Sequence, residues 1–156
     1  MKKGLSILIL STISFSNFLN SSFSAKIYEK SRTQTKEYNL KYTPNKIRVE
    51  VEFPKTNKGE IYTYENGKKH IYYPRLNQTV EQSISNSDND IFKLLEEMKK
   101  ITKTSKVGNK LYIVKNKKIV NIKSMNYDAK IKYIGDKPSY ILVETSSEKV
   151  EFIWKY

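Results

Sequence analysis

The chain has no cysteine, a single histidine, four prolines and only five glycines among its 156 residues. Each scarcity removes a class of protein. Without cysteine there is no disulfide framework, no thiolate nucleophile and no soft metal ligand. His70, alone in a hairpin strand, reads as a surface residue, and no serine has a visible base partner. No glycine-rich loop is present to cradle a phosphate. Asp88-x-Asp90 with Glu96 or Glu97 lacks the central glycine and spacing of a calcium loop; capping of the helix that follows explains it better. No catalytic residue, no metal site and no cofactor is expected, and the chain reads as a binder rather than an enzyme.

Arginine is equally scarce. Only Arg32, Arg48 and Arg75 occur, although the net charge is +13. Modules that read nucleic-acid grooves rely on arginine for bidentate contacts, so a lysine surplus excludes nucleic acid as the expected partner. Lysines attract anionic lipid headgroups, each contributing about 1 kcal/mol near a charged surface. Here they are spread along the chain, which fits a biased background composition at least as well as contact with a membrane surface.

Long apolar runs are missing too. The longest, Leu5 to Phe15, is too short to span a bilayer. Lys2 and Lys3 precede it, and Ser22-Phe23-Ser24 places small residues at minus three and minus one of a cleavage site. Residues 1–24 are therefore expected to be a secretory leader, with residues 25–156 as one domain in the periplasm. No cysteine lies near the cut, so no thioether lipid anchor forms. An exported chain without disulfides depends on burial, and 12 Tyr, 6 Phe and one Trp supply much of the surface for it.

What is present is alternation. In Ile47-Arg-Val-Glu-Val-Glu-Phe53 the apolar Ile47, Val49, Val51 and Phe53 fall on one side and the charges on the other, as a strand requires. Tyr38, Leu40 and Tyr42 alternate with polar neighbours in the same way. Asn66-Gly67 suits a two-residue type I′ turn, which places Tyr62, Tyr64, Ile71 and Tyr73 on one hairpin face. Val80, Gln82 and Ile84 suggest a further strand. Ile91, Leu94, Leu95, Met98 and Ile101 form a helical apolar stripe over Ile91 to Lys103, capped by Asp88 or Asp90, with Lys93–Glu97 and Glu96–Lys100 pairs on its wet side. Beyond Gly108 the β pattern resumes to Tyr156. About nine strands spaced like hairpins predict a mainly β domain with one or two helices and a mostly antiparallel sheet.

The series Tyr42-Thr-Pro44-Asn-Lys-Ile-Arg-Val-Glu, Phe53-Pro54, Glu65-Asn66-Gly67-Lys68, Ile71-Tyr72-Tyr73-Pro74 and Asn77-Gln78 resembles the outer-membrane lipoprotein carrier family, the LolA type. The resemblance covers about Lys41 to Gln82. It implies a curved antiparallel sheet, an incomplete or half β-barrel, lidded by an amphipathic helix and holding acyl chains of a lipoprotein or lipid. It also implies transient contact with a membrane-bound donor and acceptor. The chain departs from the family in entering its first strand near Lys26-Ile27-Tyr28-Glu29 without a preceding amphipathic helix. It departs again in carrying Thr43 where typical carriers have a basic residue that helps hold the lid closed.

The candidate cavity residues are then Tyr38, Leu40 and Tyr42; Ile47, Val49, Val51 and Phe53; Tyr62, Tyr64, Ile71 and Tyr73; and Leu94, Leu95 and Met98 from the lid. Alternation alone does not distinguish an open cavity from a filled core. Two other readings stay open: a small outer-membrane β-barrel, suggested by the alternating Val150, Phe152, Trp154 and Tyr156, and a secreted non-enzymatic binding module.

Overall fold

In the computed structural model of the chain, residues 18–83 and 91–156 are described. A 3₁₀ turn at Phe18–Asn20 leads into β1 (Phe23–Lys30), β2 (Thr35–Thr43), β3 (Lys46–Phe53), β4 (Ile61–Glu65), β5 (Lys68–Tyr73) and β6 (Gln78–Ser83). The one α-helix among the described residues, α1 (Ile91–Met98), follows. The chain then continues through β7 (Ser105–Val107), β8 (Lys110–Lys115), β9 (Lys118–Lys123), β10 (Tyr127–Ile134), β11 (Lys137–Thr145) and β12 (Lys149–Lys155).

All twelve strands join one sheet in the order β6-β5-β4-β3-β2-β1-β12-β11-β10-β9-β8-β7. The topology is two antiparallel meanders joined where β1 pairs with β12, Ile27 opposite Trp154. The edges, β6 and β7, do not pair, so the sheet stays an open half-barrel and the closed transmembrane barrel is corrected. No helix among the described residues is long and apolar enough to cross a membrane. The sequence reading also undercounts the strands. It lacks β7, three residues long, and starts β1 near Lys26 where the strand begins at Phe23.

Turn chemistry follows the residues. Asn66 and Gly67 both have positive φ, 52° and 73°, as the two-residue turn between β4 and β5 demands. Asn116 and Lys117 repeat the device between β8 and β9, at 49° and 61°. A lysine there accepts a conformation that glycine adopts at no steric cost.

One face of the sheet is apolar across its central strands, whereas the edge strands β6 and β7 contribute no buried residue. Register aligns Ile27 with Tyr38, Leu40 with Val49, and Tyr42 with Ile47, which in turn faces Tyr64. In the other meander Ile141 faces Phe152 and Ile131, while Ala129 faces Val143 and Ile122. These side chains and those of α1 form one buried cluster. No water-sized space touches Ile27, Ile47, Val49 or Leu95, each 0 % exposed.

Phe53 is the exception in β3. The β2–β3 ladder shifts register between Tyr38 and Glu37, so Val51 faces Tyr38 but Phe53 faces Glu37. The extra residue, Glu52, makes a bulge that reverses the alternation. Phe53 is left 44 % exposed on the outer side of the sheet, and the expectation that it shares the inner face is corrected. The segment proposed to cap α1, Asp88 and Asp90, and the strand residue Ile84 lie outside the described residues.

Because Ile27 sits at the junction of the two meanders with no surrounding space, Ile27→Ala is expected to cost about 2–5 kcal/mol. Ile134→Ala, at a position 78 % exposed, is expected to change stability by less than about 0.5 kcal/mol. Urea denaturation of both variants checks the contrast.

Candidate ligand-binding face under the helix

Helix α1 is only eight residues long. A helix that short is marginal alone in water, so its form depends on what it lies against. It supplies Phe92, Leu94, Leu95 and Met98, with Ile101 just beyond its end, all buried in the cluster that covers the inner face. Phe92 is wedged between two sheet tyrosines, 5.9 Å from the Tyr38 ring and 5.6 Å from that of Tyr64. The helix ends sooner than its stripe predicts: Lys100 and Ile101 donate backbone bonds back only three residues, to Glu97 and Met98. Ile101 still reaches the core from that last turn.

The rim of this contact is polar and tied. Glu97 accepts from Tyr112 Oη at 3.1 Å and from Lys110 Nζ at 2.7 Å, pinning α1 to β8. Lys99 pairs with Glu96, donates to the Pro44 carbonyl and lies over the Tyr42 ring. Glu96 pairs with Lys99 in place of the predicted Lys100, and Glu97 reaches across to Lys110 on β8. Thr43 takes no part in holding the helix; its hydroxyl donates to the Lys46 carbonyl inside the β2–β3 turn. A lysine reaching from the helix side meets the same corner of the sheet.

The tyrosines on this face turn their rings inward and their hydroxyls to fixed acceptors. Tyr38 donates to Glu29 at 2.5 Å and Tyr62 to Glu60 at 2.8 Å. Tyr42 donates to the Leu19 carbonyl and Tyr133 to that of Ile119, both at 2.8 Å. Burial raises the hydroxyl pKa of Tyr42, Tyr62, Tyr112 and Tyr133 well above the ordinary phenol value, and neighbouring carboxylates add to the rise for the first three. They remain protonated donors at neutral pH and offer no general base. For Lys110, burial pulls the ammonium pKa down, but bonding to Glu97 and the charges of Tyr127 and Glu97 outweigh it, and the net shift is upward.

Of the predicted cavity residues, the structure brings Tyr38, Leu40, Tyr42, Ile47, Val49, Val51, Tyr64 and Ile71 to the inner face with Leu94, Leu95 and Met98 from α1. Tyr62 packs against the edge of that cluster, and Tyr73 is half-buried near the β5–β6 turn. These side chains fill the space with one another. A cleft of about 1150 Å³ does border α1, but along its polar side, lined by Lys93, Glu96, Glu97, Lys110 and the β7–β8 turn. Sequence reading missed Phe92, although its spacing of three to Leu95 is helical. Its candidate face also stops at Met98, although Ile122, Ile131, Ile141 and Phe152 of the second meander extend the same buried surface.

No protein-family model matches the chain, and no curated protein matches it in sequence. The fold does have solved relatives. A LolA superfamily protein from Nitrosomonas europaea superimposes with a TM-score of 0.58 at 11 % identity, over 88 % of this chain and 85 % of that one. A domain described as an outer membrane lipoprotein-sorting protein from Vibrio parahaemolyticus gives 0.55 at 9 % identity, over 86 % and 83 %. The open twelve-stranded sheet with a helix on its apolar face is therefore a LolA-like fold.

Phe92→Ala is expected to loosen α1 by about 3–5 kcal/mol. Native-state hydrogen exchange should then quicken for amides of α1 while those of β1, β2 and β12 stay protected. Equal loss of protection across the sheet contradicts a separable helix.

Proposed function

We propose that the protein is a soluble periplasmic carrier that shields acyl chains of a lipoprotein or lipid on the inner face of the half-barrel and releases them at another membrane. The single observation behind this reading is the way one short helix covers that face. Five apolar side chains, Phe92 to Ile101, leave water there, which contributes about 8–15 kcal/mol in total at roughly 1.5–3 kcal/mol each. A sixteen-carbon acyl chain, at about 0.8 kcal/mol per buried methylene, gains roughly 12 kcal/mol from the same burial. The two are of one size, so a guest chain can take the place of the helix at little net cost. The face stays covered in either state.

In this reading α1 swings away as the ligand arrives, and the Glu97–Lys110–Tyr112 and Lys99–Pro44 contacts are the polar ties that must break. Binding involves no bond chemistry; affinity is apolar, and the rim tyrosines and lysines meet the polar head of the guest. Lysine ammonium groups at the rim also favour an anionic membrane surface at donor and acceptor. The solved structures of like fold, one of them described by lipoprotein sorting, support the type of cargo.

The absence of cysteine makes a direct test practical. Glu97→Cys with Tyr112→Cys places the only two thiols where the helix touches the sheet, and a short bis-maleimide joins them. A fluorescent fatty-acyl probe is expected to bind the unjoined variant and to bind at least tenfold more weakly once the thiols are joined. Equal binding in both states removes the moving helix from the account. Absence of probe binding by the wild-type protein, with no co-purifying lipid in native mass spectra, removes the carrier itself.

A further inference from the structure

The sequence contains the same triplet twice: Ser14-Phe15-Ser16 and Ser22-Phe23-Ser24. Both put small residues at minus three and minus one of a leader cleavage site, and the apolar segment before the first of them, Leu5 to Ile13, is already long enough for a leader. Sequence alone does not separate them. The fold does.

Residues between the two triplets are built into the core. Leu19 is 1 % exposed and Phe18 is 9 % exposed. Phe18 contacts Phe23 at 5.7 Å and Tyr133 at 6.4 Å, and Phe23 stacks on Tyr42 at 4.7 Å. The Leu19 carbonyl accepts the Tyr42 hydroxyl at 2.8 Å, within buried surroundings and 23 residues away in sequence. Phe23 and Ser24 also open β1, opposite Tyr42 and Lys41. A cut after Ser24 would strip the stacking partner and the acceptor from a buried tyrosine and leave the end of the half-barrel uncovered. A buried hydroxyl without a partner is costly. A segment discarded on export has no reason to complement the folded domain in this way.

We propose that the leader is cut after Ser16, so that the exported protein begins at Asn17 and keeps Phe18, Leu19 and Phe23 as core residues. The step is hydrolysis of the Ser16–Asn17 peptide bond by a membrane-bound leader peptidase of the exporting cell. Water supplies the oxygen that leaves Ser16 with a carboxylate, and the Asn17 nitrogen departs as the new α-ammonium. Ser22-Phe23-Ser24 then serves as the entry to β1, with Phe23 and Ser24 its first two residues.

The test is to export the full chain from a bacterial host and determine its first residue by intact mass and by sequencing of its N-terminal peptide. Asn17 is the expected start. A start at Ala25, or at any other residue, overturns the proposal, as does an uncut chain. The variants S16L and S24L separate the sites without requiring a truncated fold, since Ser24 is exposed. S16L should raise the precursor fraction at least tenfold, whereas S24L should be processed like the wild type; the reverse pattern overturns it.

Discussion

An open sheet of twelve strands cannot leave one face apolar in water, and the need to cover that face organises the molecule. In a closed barrel, strands pack against their own curvature, and in a sandwich a second sheet supplies the cover. Here β6 and β7 do not meet, and the covering is done by α1 together with the 3₁₀ turn at Phe18–Asn20. Both are short. Neither is held by a backbone ladder to the sheet, so both depend on side-chain burial and a few polar ties. A sheet that is stable by its hydrogen-bonded meanders and a cover that is stable only by contact are separable by design, and that separation is what a carrier exploits.

Tyrosine is the residue that makes such a cover both close-fitting and reversible. Its ring contributes the burial of an aromatic, while the hydroxyl must find an acceptor. Tyr38, Tyr62 and Tyr112 find carboxylates, and Tyr42 and Tyr133 find backbone carbonyls. Lys69, Lys99 and Lys110 lie over tyrosine rings as well, at 5.2–5.7 Å. The rim of the apolar face is therefore a belt of aromatic and cationic groups, suited to the boundary between an acyl chain and its polar head.

Much of this was legible in the residues. The strict alternation of Ile47, Val49 and Val51 fixed which side of β3 is buried, and Asn66-Gly67 fixed the β4–β5 register. Phe53 was not legible, because a bulge at Glu52 reverses the parity and depends on a pairing between β2 and β3 that alternation does not reveal. The joining of β1 to β12 was hidden for a similar reason: contacts between the two ends of the chain leave no local signal. Phe92 falls outside a stripe drawn through Ile91, and the bonds of Glu97 to Lys110 and Tyr112 on β8 join residues 13 and 15 apart, which helical spacing does not reveal. Whether the face holds a guest or only its own helix is likewise a matter of packing energies, which patterns of residue type do not contain.

The central claim is that an acyl chain and α1 compete for one apolar face, and the chain's only tryptophan sits on that face. Trp154 is 4 % exposed and lies opposite Ile27 at the centre of the sheet. Bromine quenches indole emission only at close contact, so titration with a bromine-labelled fatty acid reports directly on where the acyl chain goes. The account predicts saturable quenching of Trp154 that reaches its limit at one ligand per protein. Binding at the same stoichiometry with Trp154 emission unchanged would place the acyl chain elsewhere and contradict it.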